Sequence, residues 1–132
     1  MLAICGSIEM EISKIHNVGD KKDFLEIYNL SHPGLDKLIA LAYKQLKLIT
    51  FFTAGEQEIR AWTIPKGAYA PKAAGVIHTD FERGFIKAEI YHINDLIVHE
   101  SELVLKEKGK IRQEGKEYLV QDGDIIFFKF NV

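Results

Sequence analysis

The chain has 132 residues, of which 47% are hydrophobic and 27% are charged, and its formal net charge is -2. These values are typical of one globular domain with a short appendage, and they exclude a strongly basic nucleic-acid binder, although a local basic face remains possible. The single cysteine, Cys5, excludes an internal disulfide framework and a Cys-x-x-Cys zinc site. With no signal-peptide pattern and no apolar run of about 18 residues, we expect a soluble, cytoplasmic protein.

The first 47 residues are predicted to be mainly helical. The opening apolar run LAIC is compatible with one short strand, and Ile8, Ile12 and Ile15 then recur at helical spacing. Asp20 is predicted to cap a helix over KKDFLEIYNL that ends at Pro33-Gly34. A second amphipathic helix is predicted from about residue 35 to 46, with a buried face formed by Leu38, Ile39, Ala42 and Leu46.

From Leu48 onward the hydrophobic period changes to that of strands. The runs LITFFTA and EIRAWTI flank Gly55-Glu56-Gln57 and predict an antiparallel β-hairpin. A helix is then predicted to open at Ala70-Pro71-Lys72, because proline fits the first helical turn. Its buried face is predicted to hold Ala73, Ala74, Ile77 and Phe81. Gly84 is placed as its left-handed C-terminal cap.

The remaining segments complete the predicted sheet. FIKAEIYH alternates, which predicts a third strand with one face formed by Ile86, Ala88 and Ile90 and the other by Lys87, Glu89 and Tyr91. A helical insertion over residues 94–108 capped by Gly109, a small hairpin around Glu114-Gly115 and a turn over residues 121–124 follow. The last strand, IIFFKFNV, suits the sheet centre. This order predicts an α+β fold of the β-grasp, ubiquitin-like class, with one main helix across a mixed sheet.

Motifs that carry chemistry are few. The sequence contains no G-x-x-x-x-G-K-[ST] phosphate-binding loop, so the chain alone is not expected to be a nucleotide triphosphatase of that class. The five histidines lack the i, i+4 spacing of helical metal ligands, and His92 with His99 is the one pair considered close enough to meet. We therefore predict no metal site and no catalytic residue in this chain.

His78 and Asp80 allow two interpretations. They are either a general base with its orienting carboxylate, or part of a helix end at which Thr79 or Asp80 caps a last turn and His78 bonds a neighbouring carbonyl. Residues two positions apart on a helix point in different directions, and no Ser or Cys nucleophile lies nearby in sequence. The structural interpretation is favoured.

Aromatic and basic side chains raise the question of RNA binding. Trp62 and the phenylalanines of the predicted strands are expected in the core. The alternative is that some of these rings stack on bases. The phenylalanines are Phe51, Phe52, Phe127, Phe128 and Phe130. The basic residues are either a solvated surface or a phosphate-contacting face. Candidate RNA-binding residues are Arg60, Lys66, Lys72, Arg83, Lys87 and Lys129. Arg112 is a further basic residue of this set.

Three strings carry a specific resemblance. TAGEQEIRAWTI (53–64), KGAYAPKAAGVIHTDFERGFIKAE (66–89) and EGKEYLVQDGDIIFFKFNV (114–132) resemble the carboxy-terminal part of the YchF family of Obg-like P-loop ATPases/GTPases, including its TGS domain. The opening ICGSIEMEI resembles the close of that family's nucleotide-binding domain, written close to CAKIEAE. Cys5 and Glu9 match, whereas Gly6 and Ser7 replace Ala and Lys. The resemblance implies that Cys5, Gly6 and Ser7 lie near the base of a bound nucleotide.

The resemblance also implies that nucleotide binding and ribosome binding belong to different parts of the family's chain. Family members bind ATP or GTP with Mg, hydrolyse ATP slowly and associate with ribosomes and RNA. Residues 1–33 are then a remnant of the nucleotide-binding domain with a connecting helix, and residues 34–132 are the TGS domain. The resemblance implies that this module binds no cofactor itself and contributes a ribosome- or RNA-binding surface. The alternative is a regulatory module that docks on the nucleotide-binding domain. Residues 1–15 are expected to be the least stable part.

Overall fold

The computed structural model describes residues 1–55 and 58–131, so two residues of the predicted hairpin loop, Glu56 and Gln57, lie outside the described residues. The chain forms two compact units, Met1–Leu46 and a second unit from Lys47 onward. The predicted division after residue 33 separates a remnant of a nucleotide-binding domain from the TGS domain. That division stays a prediction. In the part of the chain that the structure describes, no helix is long and apolar enough to cross a membrane.

The first unit contains helices α1 (Gly6–Lys14), α2 (Val18–Ile27) and α3 (Gly34–Gln45). The strand considered for LAIC is wrong, because residues 1–46, all of them described, contain no strand with which it could pair. The predicted cap at Asp20 is also wrong. The Asn17 side chain caps α2 and accepts hydrogen bonds from the backbone N–H of Gly19 (2.8 Å) and of Asp20 (3.2 Å). The helix ends well before Pro33 because Asn29 adopts a left-handed conformation (φ 53°).

Helix α3 matches the predicted bounds but not the predicted burial. Leu38, Ile39 and Leu46 were expected to be buried and are 46%, 48% and 68% exposed, and Ala42 is exposed as well. The helix is amphipathic, as predicted, but its apolar side is exposed in the described part of the chain.

The second unit is built on one five-stranded mixed sheet. Its strands are β1 (Leu48–Ala54), β2 (Ile59–Pro65), β3 (Phe85–His92), β4 (Arg112–Glu114) and β5 (Asp124–Phe130). Their spatial order is β2-β1-β5-β3-β4. β5 runs parallel to β1 and antiparallel to β3, and the outer strands pair antiparallel with their neighbours. The order, together with the central position of β5, confirms the predicted β-grasp fold.

Helices cover the sheet unevenly. The helices of this unit are α4 (Ala70–Ile77), α5 (Thr79–Arg83), α6 (Ile93–His99) and α7 (Glu102–Glu107). α4 packs against β2 and β3 over the main core, which includes Phe51, Ile64, Ala73, Ala88 and Phe128. A second cluster forms around Tyr91, Leu105 and Ile125, so α7 covers one part of the sheet as well.

The predicted main helix is divided at His78. Pro71 lies in the first turn of α4, as predicted. His78 has extended backbone angles (φ -159°, ψ 141°), and it ends α4 and begins α5. Gly84 does end the helical segment, but the predicted left-handed cap is wrong because its φ is -88°. Glycine is required there by close approach, since a Cβ would collide with the backbone oxygen of Asn131.

Strand β3 departs from strict alternation at both ends. Ile86 was expected on the buried face and is exposed, because the pairing with β5 shifts register between Phe85 and Lys87. Tyr91 was expected on the exposed face and is buried, because it packs in the cluster around Leu105.

The segment between β3 and β5 differs from the expected single helix and hairpin. Glu100 adopts a left-handed conformation (φ 55°) and separates α6 from α7. The hairpin around Glu114-Gly115 is wrong, because β4 pairs with β3 and Leu119 forms a separate bridge with Tyr69. The turn that precedes β5 is as predicted, with Gly123 at φ 84°.

Candidate nucleic-acid interface on the open face of the sheet

The sheet face opposite α4 carries a small group of polar and aromatic side chains. Ala88 and Phe128 are paired residues of β3 and β5 that point into the main core. Side chains alternate along a strand, so the flanking residues point to the other face. We call the surface formed by Lys87, Glu89, Phe127 and Lys129 the open face. Its register is fixed, since Lys87 pairs with Lys129 and Glu89 with Phe127.

Electrostatically the open face holds two ammonium groups and one carboxylate. Lys129 Nζ lies 3.7 Å from Glu89 Oε1 and 4.9 Å from the centre of the Phe127 ring. Lys87 Nζ donates a hydrogen bond to Gln113 Oε1 at 3.0 Å. An ion pair that is this exposed contributes about 1 kcal/mol or less. An incoming phosphate can therefore compete with Glu89 for Lys129.

The other four candidate RNA-binding residues lie elsewhere. The Arg60 guanidinium lies 5.0 Å from the centre of the Trp62 ring, and Trp62 packs against the main core, so Arg60 belongs to the helix-covered face. Arg60 therefore does not share the open face with Lys87 and Lys129. Lys72 Nζ forms a 2.7 Å ion pair with Glu82. Lys66 follows β2 and Arg83 ends α5. An RNA-binding role for these four residues stays a prediction.

The aromatic residues divide in the same way. Buried or partly buried in the two clusters are Phe51, Phe52, Phe128 and Trp62. Phe130 is 39% exposed, but its ring stacks on Phe81 with 3.8 Å between the ring centres. Phe127 is 53% exposed and points out of the open face. The core interpretation thus holds for most of these rings, and Phe127 departs from it.

The segment Cys5-Gly6-Ser7 forms the start of α1. Cys5 Sγ lies 3.2 Å from Ser7 Oγ, and this hydrogen bond lowers the pKa of the exposed Cys5 thiol. Glu9, in the same helix, reaches α3 and accepts hydrogen bonds from the backbone N–H of Gly34 (2.6 Å) and Leu35 (3.2 Å). The proximity of Cys5, Gly6 and Ser7 to a nucleotide base stays a prediction.

His78 has the geometry of a helix cap. Its Nδ1 accepts a hydrogen bond from the backbone N–H of Asp80 at 3.2 Å, while the Asp80 carboxylate lies 3.6 Å away. A general base oriented by a carboxylate needs a proton on Nδ1 to donate to that carboxylate. Here Nδ1 is an acceptor, so the arrangement supports a helix end and not a catalytic pair. The predicted details are wrong, because His78 itself caps α5 in place of Thr79 or Asp80, and it accepts from an N–H instead of bonding a carbonyl.

The remaining histidine pair, His92 and His99, makes contacts with different partners. His92 Nδ1 accepts from the N–H of Asn94 (3.1 Å) and its Nε2 lies 2.9 Å from the carbonyl oxygen of Asp122, whereas His99 contacts Lys108. Among the described residues, no group of three or more His, Cys, Asp or Glu side chains is placed to hold a metal ion.

The contacts of three residues were not predicted from the sequence. Glu89 and Gln113 meet the two lysines of the open face, and Glu9 caps α3 across 25 residues of sequence. Glu89 had a signal, because alternation places it beside Lys87 on one face of β3. Gln113 and Glu9 had none, since their contacts depend on which elements become neighbours.

The sheet order, the position of α4 and α5 and the open face define an α+β domain of the β-grasp class. The chain belongs to the YchF family: the family model YchF-GTPase_C, described as a protein of unknown function (DUF933), matches residues 48–131.

The known relatives are longer than this chain. It is 51% identical over 132 residues to the ribosome-binding ATPase YchF of Pasteurella multocida and 52% identical to that of Bacillus subtilis. In each case it spans 36% of the relative's length. The solved YchF GTPase of Schizosaccharomyces pombe superposes with a TM-score of 0.82 at 39% identity, over 96% of this chain and 33% of that one.

Proposed function

We propose that this chain is the TGS, β-grasp module of a ribosome-binding ATPase of the YchF type, and that its open face contributes a ribosome- or RNA-binding surface. The observation that carries the proposal is the pairing of Lys87 with Lys129 on an uncovered part of the sheet. The names of the relatives, ribosome-binding ATPases, support the choice of partner. A cytoplasmic location belongs to the same proposal.

Nucleotide chemistry is assigned by this proposal to the part of the relatives that the chain does not span. ATP or GTP with Mg would be held there, because the phosphate-binding loop motif does not occur in the present sequence. Residues 1–33 would complete that nucleotide-binding domain, and residues 34–132 would form the TGS domain.

Electrostatics sets the size of the expected effect. Counterions are released when a lysine neutralises a phosphate, and this release becomes less favourable as the salt concentration rises. For single-stranded RNA, each such contact makes the logarithm of the binding constant fall by about 0.7 for every tenfold rise in salt concentration. Two lysines give a slope of about -1.4, so affinity falls about sevenfold between 50 and 200 mM salt. This modest dependence fits a chain whose net charge is -2.

The test measures binding of the chain to purified ribosomal subunits over that range of salt. In the double variant K87Q/K129Q we expect the salt slope to fall by about 1.4, to near zero. K116Q is the control for the general effect of charge loss, since Lys116 is exposed in the turn after β4 and its replacement removes one charge outside the open face. Equal slopes for the parent chain and the double variant would contradict the electrostatic role of the open face.

A second function is favoured by α3. The exposed apolar residues of this helix and its C-terminal end are Leu35, Leu38, Ile39, Leu41 and Leu46. An apolar helix side of this kind suits a regulatory module that docks on the nucleotide-binding domain of the relatives. Mixing this chain with that separately produced domain, with and without ATP, tests the idea. Nucleotide-dependent association that the substitutions L38E and I39E abolish would support it, and no association at micromolar concentrations would contradict it.

A further inference from the structure

We propose, on the basis of the proposed function, that Phe127 is a stacking platform for an unpaired RNA base and that the open face therefore selects single-stranded RNA over duplex RNA. The proposal names the class of RNA, which the electrostatic argument leaves open.

The position of Phe127 is unusual for its residue type. It lies on β5, the central strand of the sheet, yet it is 53% exposed. The neighbours of β5 on both sides, β1 and β3, hold its backbone, so the ring is presented from a rigid element. Ala54 lies on the same face, two residues beyond Phe52, which pairs with Ile125. Its side chain is a single methyl group.

The surroundings of the ring favour a nucleotide. Lys129 lies two residues away on the same strand, a distance of about 7 Å along the sheet, and its ammonium group is 4.9 Å from the ring centre. Lys87 is the cross-strand partner of Lys129. The Lys129 ammonium group lies over the ring, so a stacking base displaces it from that face. The phosphate of the same nucleotide then stays within reach of an ammonium group. An aromatic platform with adjacent cations is the combination that binds single-stranded nucleic acid.

Duplex RNA lacks the group that this surface would bind. In an A-form helix the faces of the bases are covered by their neighbours, and the protein reaches the backbone and the shallow groove instead. A ring that projects from a sheet has a free base face to stack on only in a loop, a bulge or a single strand. The preference should tolerate changes in sequence, because every base has such a face.

Two other aromatic residues of the sheet, Phe130 and Trp62, do not offer the same platform. The face of Phe130 is taken by Phe81, and Trp62 is partly buried against the main core. The choice of Phe127 therefore follows from the contacts of the rings and not from composition.

The experiment compares two RNA probes by fluorescence anisotropy at 50 mM salt. The first is a labelled single-stranded 12-mer of mixed sequence, and the second is the same strand annealed to its complement. We expect F127A to weaken binding of the single strand on the order of tenfold and to leave binding of the duplex unchanged. F127W should retain the preference, whereas F127L should lose it because it keeps apolar bulk without an aromatic face.

Two controls separate stacking from damage. Leu103 is an exposed apolar residue of α7 and is not one of the four residues of the open face, so L103A should bind both probes as the parent chain does. Thermal unfolding of each variant establishes that it is folded. Equal weakening of both probes in F127A, or full binding by F127L, would overturn the stacking role.

The inference and the proposed function can fail separately. Binding of both probes unchanged in F127A, together with loss of the salt slope in K87Q/K129Q on ribosomal subunits, would overturn the inference and leave the proposed function standing. Single-strand binding that needs Phe127, without binding to ribosomal subunits, would support the inference and overturn the choice of partner. Weaker binding of F127A to subunits with unchanged binding of both RNA probes would indicate a protein contact, which overturns the inference.

Discussion

At the scale of single residues, Asp124 is a buried polar side chain in the described part of the second unit. It is 1% exposed, and its Oδ2 accepts hydrogen bonds from the Tyr118 hydroxyl (2.8 Å) and from the backbone N–H of Gln121 (2.9 Å). Burial of the phenol, followed by its hydrogen bond to Asp124, raises the pKa of Tyr118 to about 12. The Arg112 guanidinium, near the Tyr118 ring, acts on this pKa in the opposite direction. A buried carboxylate is thus stabilised by a phenol that must stay neutral.

This arrangement predicts alkaline destabilisation. The pKa of Tyr118 is about 12 in the folded chain against an ordinary value of 10.0 for tyrosine. The neutral phenol therefore stabilises the fold fully below pH 10, and that contribution is lost as the pH rises toward 12. In Y118F we expect the free energy of unfolding at pH 8 to fall by about 1–3 kcal/mol, because the Asp124 carboxylate loses one donor. Its further loss between pH 10 and 12 should be smaller than in the parent chain.

Urea unfolding at pH 8, 10 and 11.5 measures both effects. Some alkaline loss should persist in Y118F, because burial also raises the pKa of Tyr91. Y69F is the control, since Tyr69 is half-exposed and lies outside this network. An identical pH dependence in Y118F and the parent chain would show that Tyr118 titrates no differently in the folded and unfolded states.

At the scale of elements, the start of α3 depends on a residue of α1. The N-cap of α3 is Pro33, whose side chain makes no capping hydrogen bond, and the Glu9 carboxylate accepts from the first two N–H groups instead. A carboxylate at a helix N-terminus also interacts favourably with the helix dipole. We expect E9A to reduce the stability of α3 by about 1 kcal/mol, as the loss of a capping side chain does.

The measurement for E9A is the NMR chemical shift of the Cα atoms in α3, which reports helix content residue by residue. E11A is the matched control, because Glu11 makes only an exposed ion pair with Lys14 within the same helix. Unchanged α3 shifts in E9A, or equal changes in E11A, would contradict a capping role for Glu9.

The elements that sequence patterns predicted well are those whose pattern is local. Alternation along FIKAEIYH, the apolar run IIFFKFNV and proline in the first turn of α4 correspond to β3, β5 and α4. Failures occur where the outcome depends on a distant neighbour. The backbone of Gly84 is set by Asn131, and the exposure of Ile86 by the register with β5.

The candidate site shows the same limit. The alternating pattern of FIKAEIYH was enough to predict that Lys87 lies on the face opposite the core. RNA was inferred as a partner from the family resemblance. Phe127 could not be separated from the other aromatic residues, because its exposure depends on how far α6 and α7 extend over the sheet. Likewise, nothing local distinguishes Asn17 from Asp20 as a cap, since both side chains can accept from the backbone.

At the scale of the whole molecule, burial is distributed very unequally between the two units. The main core and the second cluster both lie in the unit that begins at Lys47. In residues 1–46, the buried apolar residues are Ile12 and Pro33. Most of the stability of a helix in a protein comes from packing of its apolar side, and helices of 9 to 12 residues are marginal without it.

Hydrogen exchange on the intact chain should therefore resolve two levels of stability. Amides of α1, α2 and α3 are expected to open with free energies of about 0–2 kcal/mol, whereas those of Ile90 and Ile126 should exchange only on unfolding of the sheet unit. The reason is that these two residues are buried side by side on paired central strands. Exchange rates of the denatured chain supply the reference for each segment. Protection of α3 as strong as that of β5 would contradict this expectation and would mean that its exposed apolar side is covered in solution, as by a second copy of the chain.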